Sequence, residues 1–136
     1  MTKKISEIYQ KVQADTATPG QRVIMVYGGI VKNLKIAIDA FATDTPQRFE
    51  VINNALQLSE KLILELQLAL DKEKGGEIAK NLESLYIFMR RHLSDANVEK
   101  KPAKVQEVLK LAEDLLKSWT AAEKKVRSDV ASKGTV

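Results

Sequence analysis

The chain has 136 residues, of which 44% are hydrophobic and 29% charged, and its formal net charge at pH 7 is +4. This length fits one domain with one core, and no apolar run reaches the ~20 residues that cross a bilayer, so we expect no membrane insertion. The chain contains no cysteine, which excludes a disulfide framework and a thiolate metal site. Its first residues lack the apolar stretch of a secretory signal, and we therefore expect a cytoplasmic protein.

The positive charge is scattered along the chain. Lys and Arg alternate with Glu and Asp at helical spacing in stretches such as EKLILELQLALDKEK. A local excess of lysine occurs only in residues 99–104 and after Trp119. A protein that binds the phosphate backbone of nucleic acid needs clustered cations. We therefore expect no nucleic-acid partner.

The first predicted element is a short amphipathic segment within residues 1–14. In KKISEIYQKVQ, the apolar residues at i, i+3, i+4 and i+7 form one stripe on a helix; they are Ile5, Ile8, Tyr9 and Val12. A helix this short is marginal in water by itself, so it is stable only while it packs on the rest of the protein. We expect a docked segment that a partner can displace.

Two long helices are predicted next. In ATPGQ, Thr18 has the spacing of a capping box and Pro19 takes the first helical position; Thr45 and Pro46 suggest the second start in the same way. Apolar residues then recur at steps of three and four. The first seam is Val23, Tyr27, Ile30, Leu34, Ala37 and Phe41, and the second is Phe49, Ile52, Leu56, Ser59, Ile63, Leu66 and Leu70.

The stretch LILELQLAL within the second predicted helix also fits a strand, because its leucines alternate as in a half-buried strand. The seam from Phe49 runs through it without a turn signal, and its residues prefer helix, so helix is predicted. Leu64 and Leu68 then lie off the seam, on the outer face. Single exposed apolar residues are common, but a pair at i and i+4 also suits a partner surface. Both interpretations stay open.

Gly75 and Gly76 follow in LDKEKGGEIAKNL. A phosphate-binding loop needs a preceding strand and the spacing G-x-x-x-x-G-K-[ST], whereas an amphipathic helix precedes this pair. Glu77 would also repel a phosphate at the start of the next helix while suiting the helix dipole. The pair is therefore predicted to be a corner between two helices.

Two further helices complete the predicted fold. The apolar seam of the third helix is Ile78, Leu82, Leu85, Met89, His92 or Leu93, and Ala96. Ile87 points away from this seam. The fourth helix follows Pro102, and its seam is Val105, Val108, Ala112, Leu115, Trp119, Ala122 and Val126. We predict an all-α fold, an antiparallel four-helix bundle over residues 18–126 with the short N-terminal helical segment packed on it. Residues 127–136 are predicted to be a disordered tail.

Groupings of residues that could bind a metal or carry catalysis are nearly excluded. His92 is the only histidine, so the Glu-x-x-His pairs of di-iron bundles cannot be built, and nothing favours a haem; a boundary histidine with a satisfied ring is expected. The carboxylates fall at solvent-facing positions, and hydrolysis by paired acids needs a cleft that this pattern does not supply. We predict no enzyme, with no catalytic residues, no metal and no cofactor.

Two stretches together resemble one known family, the flagellar secretion chaperones FliS. Residues 70–97 are similar to the family's acid-Lys-Gly-Gly corner followed by a Leu-Tyr pair, a Met-x-Arg or Arg-Arg pair and a closing Ala-Asn. ATPGQRVIMVYGGI resembles its Thr/Ser-Pro turn with a Leu/Met-x-Tyr/Phe-x-Gly helix. Tyr9 and Trp119 fall where the family also has a tyrosine and a tryptophan. Two features differ from the family pattern. Gly28 stands where the family often has an acid or an amide, and the net charge of this chain is positive whereas members of the family are more usually acidic.

The resemblance implies a cytoplasmic chaperone of type III flagellar export. Such a protein binds the disordered C-terminal segment of flagellin, prevents its premature polymerisation and delivers it to the export gate, without making or breaking a bond. In the family the N-terminal segment covers part of this site in the free state. Tyr9 matches the tyrosine of that segment, while Ile5, Ile8 and Val12 extend the lid by periodicity. The outer residues Leu64, Leu68 and Ile87 complete the candidate flagellin-binding surface.

One alternative from another class stays open. The bundle could be a structural or oligomerising module without a secretion client, in which the exposed leucines pair between copies. A stable dimer that dissociates when Leu64 and Leu68 are changed would favour this alternative.

Overall fold

A computed structural model describes the backbone of residues 18–134 and the side chains of residues 18–128. The predicted lid residues Ile5, Ile8, Tyr9 and Val12 therefore lie outside the described residues. Four helices make up the fold: α1, Pro19–Ala42; α2, Arg48–Leu68; α3, Lys72–Glu99; and α4, Ala103–Gly134. No strand occurs between residues 18 and 134. The predicted all-α four-helix bundle is confirmed.

The helices form a closed ring. The helix α1 packs against α2 and α4, and α3 packs against the same two helices. Short connections make sequential neighbours antiparallel. The centre of the ring holds one core, in which the largest fully buried apolar side chains are Tyr27, Tyr86, Ile30, Leu34, Ile52, Leu56, Ile63, Met89, Leu93, Val105 and Val108.

The start of α1 follows the sequence prediction. The Thr18 hydroxyl accepts a hydrogen bond from the backbone N–H of Gln21 at 3.2 Å, and the Gln21 side chain accepts one from the Thr18 N–H at 3.0 Å. This capping box satisfies two of the free donors at the helix start, with Pro19 in the first turn. The helix continues through a second glycine pair, Gly28-Gly29. A Cβ at Gly29 would lie 3.2 Å from a methyl group of Leu62 on α2.

The start of α2 differs from the prediction. The helix begins at Arg48 without a side-chain cap, because Pro46 and Gln47 form a turn in which the Arg48 N–H donates to the Thr45 carbonyl. Phe49, predicted to be in the seam, is 48% exposed, since it lies in the first turn at the end of the bundle with the Arg48 guanidinium 4.8 Å from its ring centre. The helix then runs to Leu68, so the disputed leucine stretch is helical.

The corner between α2 and α3 consists of the connection at residues 69–71 and of the pair Gly75-Gly76 inside the first turns of α3. The Asp71 side chain caps α3 by accepting from the Lys74 N–H at 3.0 Å. Gly76 then interrupts the helix with φ 53° and ψ −132°, a conformation available essentially to glycine. A Cβ at Gly75 would lie 2.7 Å from the Cβ of Ala79, so this position also needs glycine. The turn predicted at the glycine pair is thus a kink inside the first turns of α3, while residues 69–71 connect the two helices.

The helix α4 extends beyond the ends of the helices that pack against it. Val105, Val108 and Ala112 are buried and Trp119 packs on the core, but Val126, predicted to be in the seam, is 57% exposed. The Thr18 hydroxyl lies 3.4 Å from the Glu123 carboxylate, so the start of α1 is level with this turn of α4. Beyond it α4 continues as a helix to Gly134, into the segment 127–136 that was predicted to be disordered, because local backbone bonds need no tertiary cover.

Candidate functional site

An apolar groove opens at the end of the bundle where α1 begins and α2 ends. It has a volume of about 360 Å³. All four helices contribute apolar side chains to its lining, and the best placed are Val23, Leu66, Ile78, Leu82, Tyr86 and Trp119. A groove of this size and lining can take apolar side chains of a partner, which is the usual design of a helix-binding surface.

The groove stays open because of the corner. The kink at Gly76 separates the first turn of α3 from the rest of the helix, and Ala79 becomes the first buried residue. Ile78, predicted to lie in the core seam, is instead 73% exposed and lines the groove. Its side chain offers apolar area that water covers in the free protein and a partner could bury.

Two tyrosines form the floor of this end of the core. The hydroxyl groups of Tyr27 on α1 and Tyr86 on α3 lie 2.5 Å apart and are buried. Burial, together with the hydrogen bond to Tyr86, raises the pKa of Tyr27, and Trp119 has a smaller lowering effect on it. Burial also raises the pKa of Tyr86, and the hydrogen bond with Tyr27 partly offsets this rise. Either hydroxyl can donate this hydrogen bond, and the bond gives both groups a partner where water is excluded.

The predicted outer residues occupy neighbouring faces of α2 and α3. Leu68 is 75% exposed at the end of α2, Ile87 is 36% exposed on α3, and Leu64 is half-buried. Ile87 lies in a shallow pocket with Glu60 of α2, and Leu64 lies one turn beyond Glu60 on the same helix. The structure thus brings the three positions onto one side of the bundle, with Leu64 less accessible than the prediction assumed.

A small polar pocket lies beside Leu64, Leu68 and Ile87. The pocket of Ile87 also contains Arg90 and Arg91, and Arg90 donates to the Gln67 side chain at 3.1 Å. The Nε atom of Arg90 is buried without a hydrogen-bond partner among the described residues. Burial raises the pKa of Glu60, and the charge of Arg90 partly opposes that effect. Apolar contacts at Ile87 can therefore be combined with polar contacts to a partner.

His92 plays no part in these surfaces. Its Nε2 atom lies 2.5 Å from the Glu107 carboxylate of α4, and its ring stacks on Phe88 at 4.6 Å between centres. The expected boundary histidine with a satisfied ring is confirmed. Within the described residues, no three His, Cys, Asp or Glu side chains cluster as metal ligands would. Among the described helices, none is long and apolar enough to cross a membrane.

Sequence reasoning missed the end groove. Val23, Ile78 and Trp119 carry the spacing of core residues, and periodicity alone does not reveal where a seam runs past the end of its neighbours. The available signal was the glycine pair, since a corner with special backbone geometry moves the first covered turn of α3 away from the helix start.

A family model described as flagellar protein FliS matches residues 1–126. The chain is similar to the protein named flagellar secretion chaperone FliS of Bacillus subtilis (strain 168), with 28% identity over 94% of this chain and 92% of the relative. The proteins of the same name from Vibrio cholerae and Campylobacter jejuni are 30% and 32% identical, and the matches cover 83% and 82% of this chain and 84% of each relative.

The family match and the residue-level features agree. The glycine corner, the Leu85-Tyr86 pair and the Thr18-Pro19 turn, which carried the resemblance, are each used structurally as described above. Since the family model covers more than nine-tenths of the sequence, the chain belongs to the FliS family of flagellar proteins.

Proposed function

We propose that the chain is a cytoplasmic chaperone of flagellar export. In this proposal it binds the disordered C-terminal segment of flagellin, prevents premature polymerisation and delivers the flagellin to the export gate. It acts by binding alone, as a non-enzyme without cofactor. Its relatives are named flagellar secretion chaperones, which supports a role in flagellar export.

The observation that carries the proposal is the open apolar surface at the corner end of the bundle. Leu68 and Ile78 are each about three-quarters exposed, and the groove beside Ile78 is lined by all four helices. Flagellin helices that belong in a filament core must bury an apolar stripe elsewhere before assembly. Each fully buried leucine contributes about 1.5 to 3 kcal/mol, so several anchors can offset the ordering of a disordered client.

The N-terminal segment is proposed to act as a displaceable lid. The segment precedes α1 in the sequence, and Val23 in the first turns of α1 lines the groove, so the point to which the segment is attached lies beside the surface it would cover. The stripe of Ile5, Ile8, Tyr9 and Val12 would pack on apolar surface in the free state. Flagellin would replace this stripe and extend over Leu64, Leu68 and Ile87.

Titration of the chain with the C-terminal segment of flagellin tests the proposal. The wild-type protein is expected to bind, and Leu64→Glu with Leu68→Glu is expected to weaken binding by about tenfold or more, because two anchors are lost. Because Leu64 is half-buried, Leu68→Glu alone provides a second variant that cannot disturb the core. Calorimetry measures the affinity, and circular dichroism checks the helical content.

A matched control carries the same charge change elsewhere. Leu58→Glu with Val98→Glu replaces two exposed apolar residues, one on the α1 side of α2 and one near the end of α3, and is expected to leave the affinity nearly unchanged. Equal affinity of the wild type and the Leu64, Leu68 variants would remove these residues from the site, and lack of any binding would reject the function. Light scattering of the free protein tests the oligomerising alternative, which requires a dimer that the Leu68→Glu variant disrupts.

A further inference from the structure

A second groove runs along the outside of the bundle between α1 and α4, on a face that includes none of the residues lining the corner groove. It has a volume of about 480 Å³. Its apolar floor contains Val31 of α1 and Leu116 of α4, which both pack partly against the core, together with the exposed Ala121. The α4 side of the groove extends from Glu113 to Lys124, about 16 Å along the helix at 1.5 Å per residue.

The rim of this groove is basic. Lys35 of α1 and Lys117 and Lys124 of α4 line it, against the single carboxylate of Glu113. Between residues 18 and 128, no carboxylate lies within 4.0 Å of any of these three ammonium groups, although Glu113 precedes Lys117 by one turn. Elsewhere on the bundle, Lys72, Lys80 and Lys104 do form such pairs. The rim lysines are therefore available to a partner's carboxylates.

The charge of the rim decides between possible occupants. The chain's own residues 1–17 carry three lysines against one glutamate and one aspartate, and do not complement it. A second copy would place identical basic rims against each other, because a two-fold interface uses the same patch on both subunits. Nucleic acid would match the charge but not the apolar floor, and it needs more clustered cations than three lysines.

We propose that the groove between α1 and α4 binds an acidic amphipathic helix of a protein partner, with its apolar stripe on Val31 and Leu116 and its flanking carboxylates on Lys35, Lys117 and Lys124. Alkyl stems of the lysines add apolar contact area while their ammonium groups stay in water at the rim. The length of the groove accommodates about three turns of such a helix. The surface is distinct from the corner groove, and the inference does not depend on which client the chain carries.

Fluorescence anisotropy with designed helical peptides of about 16 residues tests the inference. One peptide has a leucine stripe flanked by glutamates, a second has the same stripe flanked by lysines, and a third has the glutamates with serine in place of the stripe. The glutamate-flanked peptide is expected to bind wild-type protein, and more weakly as salt rises. The charge reversal Lys35→Glu, Lys117→Glu, Lys124→Glu should weaken it about tenfold or more and should instead favour the lysine-flanked peptide.

A matched triple reversal separates a local site from general attraction. Lys61→Glu, Lys80→Glu and Lys101→Glu change the net charge by the same amount at exposed positions outside the groove. This variant should change the affinity by less than about threefold. Circular dichroism should show equal helicity for both triple variants, since all six lysines are exposed.

Four results would overturn the inference. They are no binding of the glutamate-flanked peptide at low salt, equal losses in the two triple variants, equal binding of the peptide that lacks the leucine stripe, and tighter binding of a single-stranded oligonucleotide or an anionic vesicle that the groove reversal abolishes. The last result would assign the lysines to a polyanion.

Discussion

At the scale of single residues, the two glycine pairs of this chain differ in what the structure requires. Gly76 has positive φ with ψ near −132°, whereas Gly28 is helical and a Cβ there would meet nothing within 4 Å. The first position is strained for any other residue, and the second only increases the entropy of the unfolded chain.

The substitutions Gly76→Ala and Gly28→Ala should therefore change stability in opposite directions. Gly76→Ala is expected to lower the free energy of unfolding by about 1 to 3 kcal/mol. Gly28→Ala should raise it by about 0.4 to 1 kcal/mol, because alanine is the better helix former and fills open space. Urea unfolding followed by circular dichroism measures both, and a stability loss in the Gly28 variant would contradict this account of the helix.

At the scale of elements, the corner between α2 and α3 links sequence to the candidate site. Asp71 caps α3 and Gly76 kinks it, and the turn that follows leaves Ile78 beside Trp119 in an open groove. Thr18 and the start of α1, which the N-terminal segment precedes in the sequence, lie at this same end.

Deletion of residues 1–14 tests the segment as an element. The bundle should remain folded, since the buried residues of the described core all come from the four helices, and affinity for the flagellin C-terminal segment should be unchanged or higher because the lid no longer competes. Calorimetry measures the affinity. A full-length control with serine at positions 5, 8, 9 and 12 should behave in the same way. If the truncated chain keeps its helicity but loses binding, the segment contacts the client and does not cover its site.

At the scale of the whole molecule, one hydrogen bond joins opposite helices of the ring. Tyr27 of α1 and Tyr86 of α3 meet inside the core, so the bond depends on all four helices keeping their places. Folding raises the pKa of both hydroxyls above their ordinary value of 10.0, mainly by burial. Above about pH 10 the unfolded chain releases protons that the folded chain retains, so this contribution to stability is present below that pH and lost as the pH rises.

The free energy of unfolding should consequently fall as the pH rises past about 10, and tyrosinate absorbance should appear together with unfolding. Tyr27→Phe with Tyr86→Phe should reduce this pH dependence, while the lysines that titrate nearby are common to both proteins. Each single substitution should cost about 1 to 3 kcal/mol at neutral pH, because it leaves the other hydroxyl buried without a partner, and the double variant should cost less than the sum. Additive losses would show that the two hydroxyls are not coupled.

Periodicity in the sequence determined most of the fold. The steps of three and four fixed the buried face of α1 from Tyr27 to Ala37, and the Thr18-Pro19 cap fixed where that helix starts. These features are local, because a helix forms its hydrogen bonds within one segment and shows its buried face in the spacing of apolar residues. The pair Gly75-Gly76 also predicted a break in the chain direction, because glycine adopts backbone conformations that other residues rarely adopt.

Only the tertiary structure decided which apolar residues are covered. Phe49, Ile78 and Val126 carry the spacing of core residues but lie at helix ends that their neighbours do not reach, and Leu64 is half-buried although it falls off the seam. Coverage depends on where other helices begin and end, which a single helix's pattern does not contain. The two grooves arise in the same way, because each is lined by residues far apart in the sequence that meet only when the four helices close into a ring.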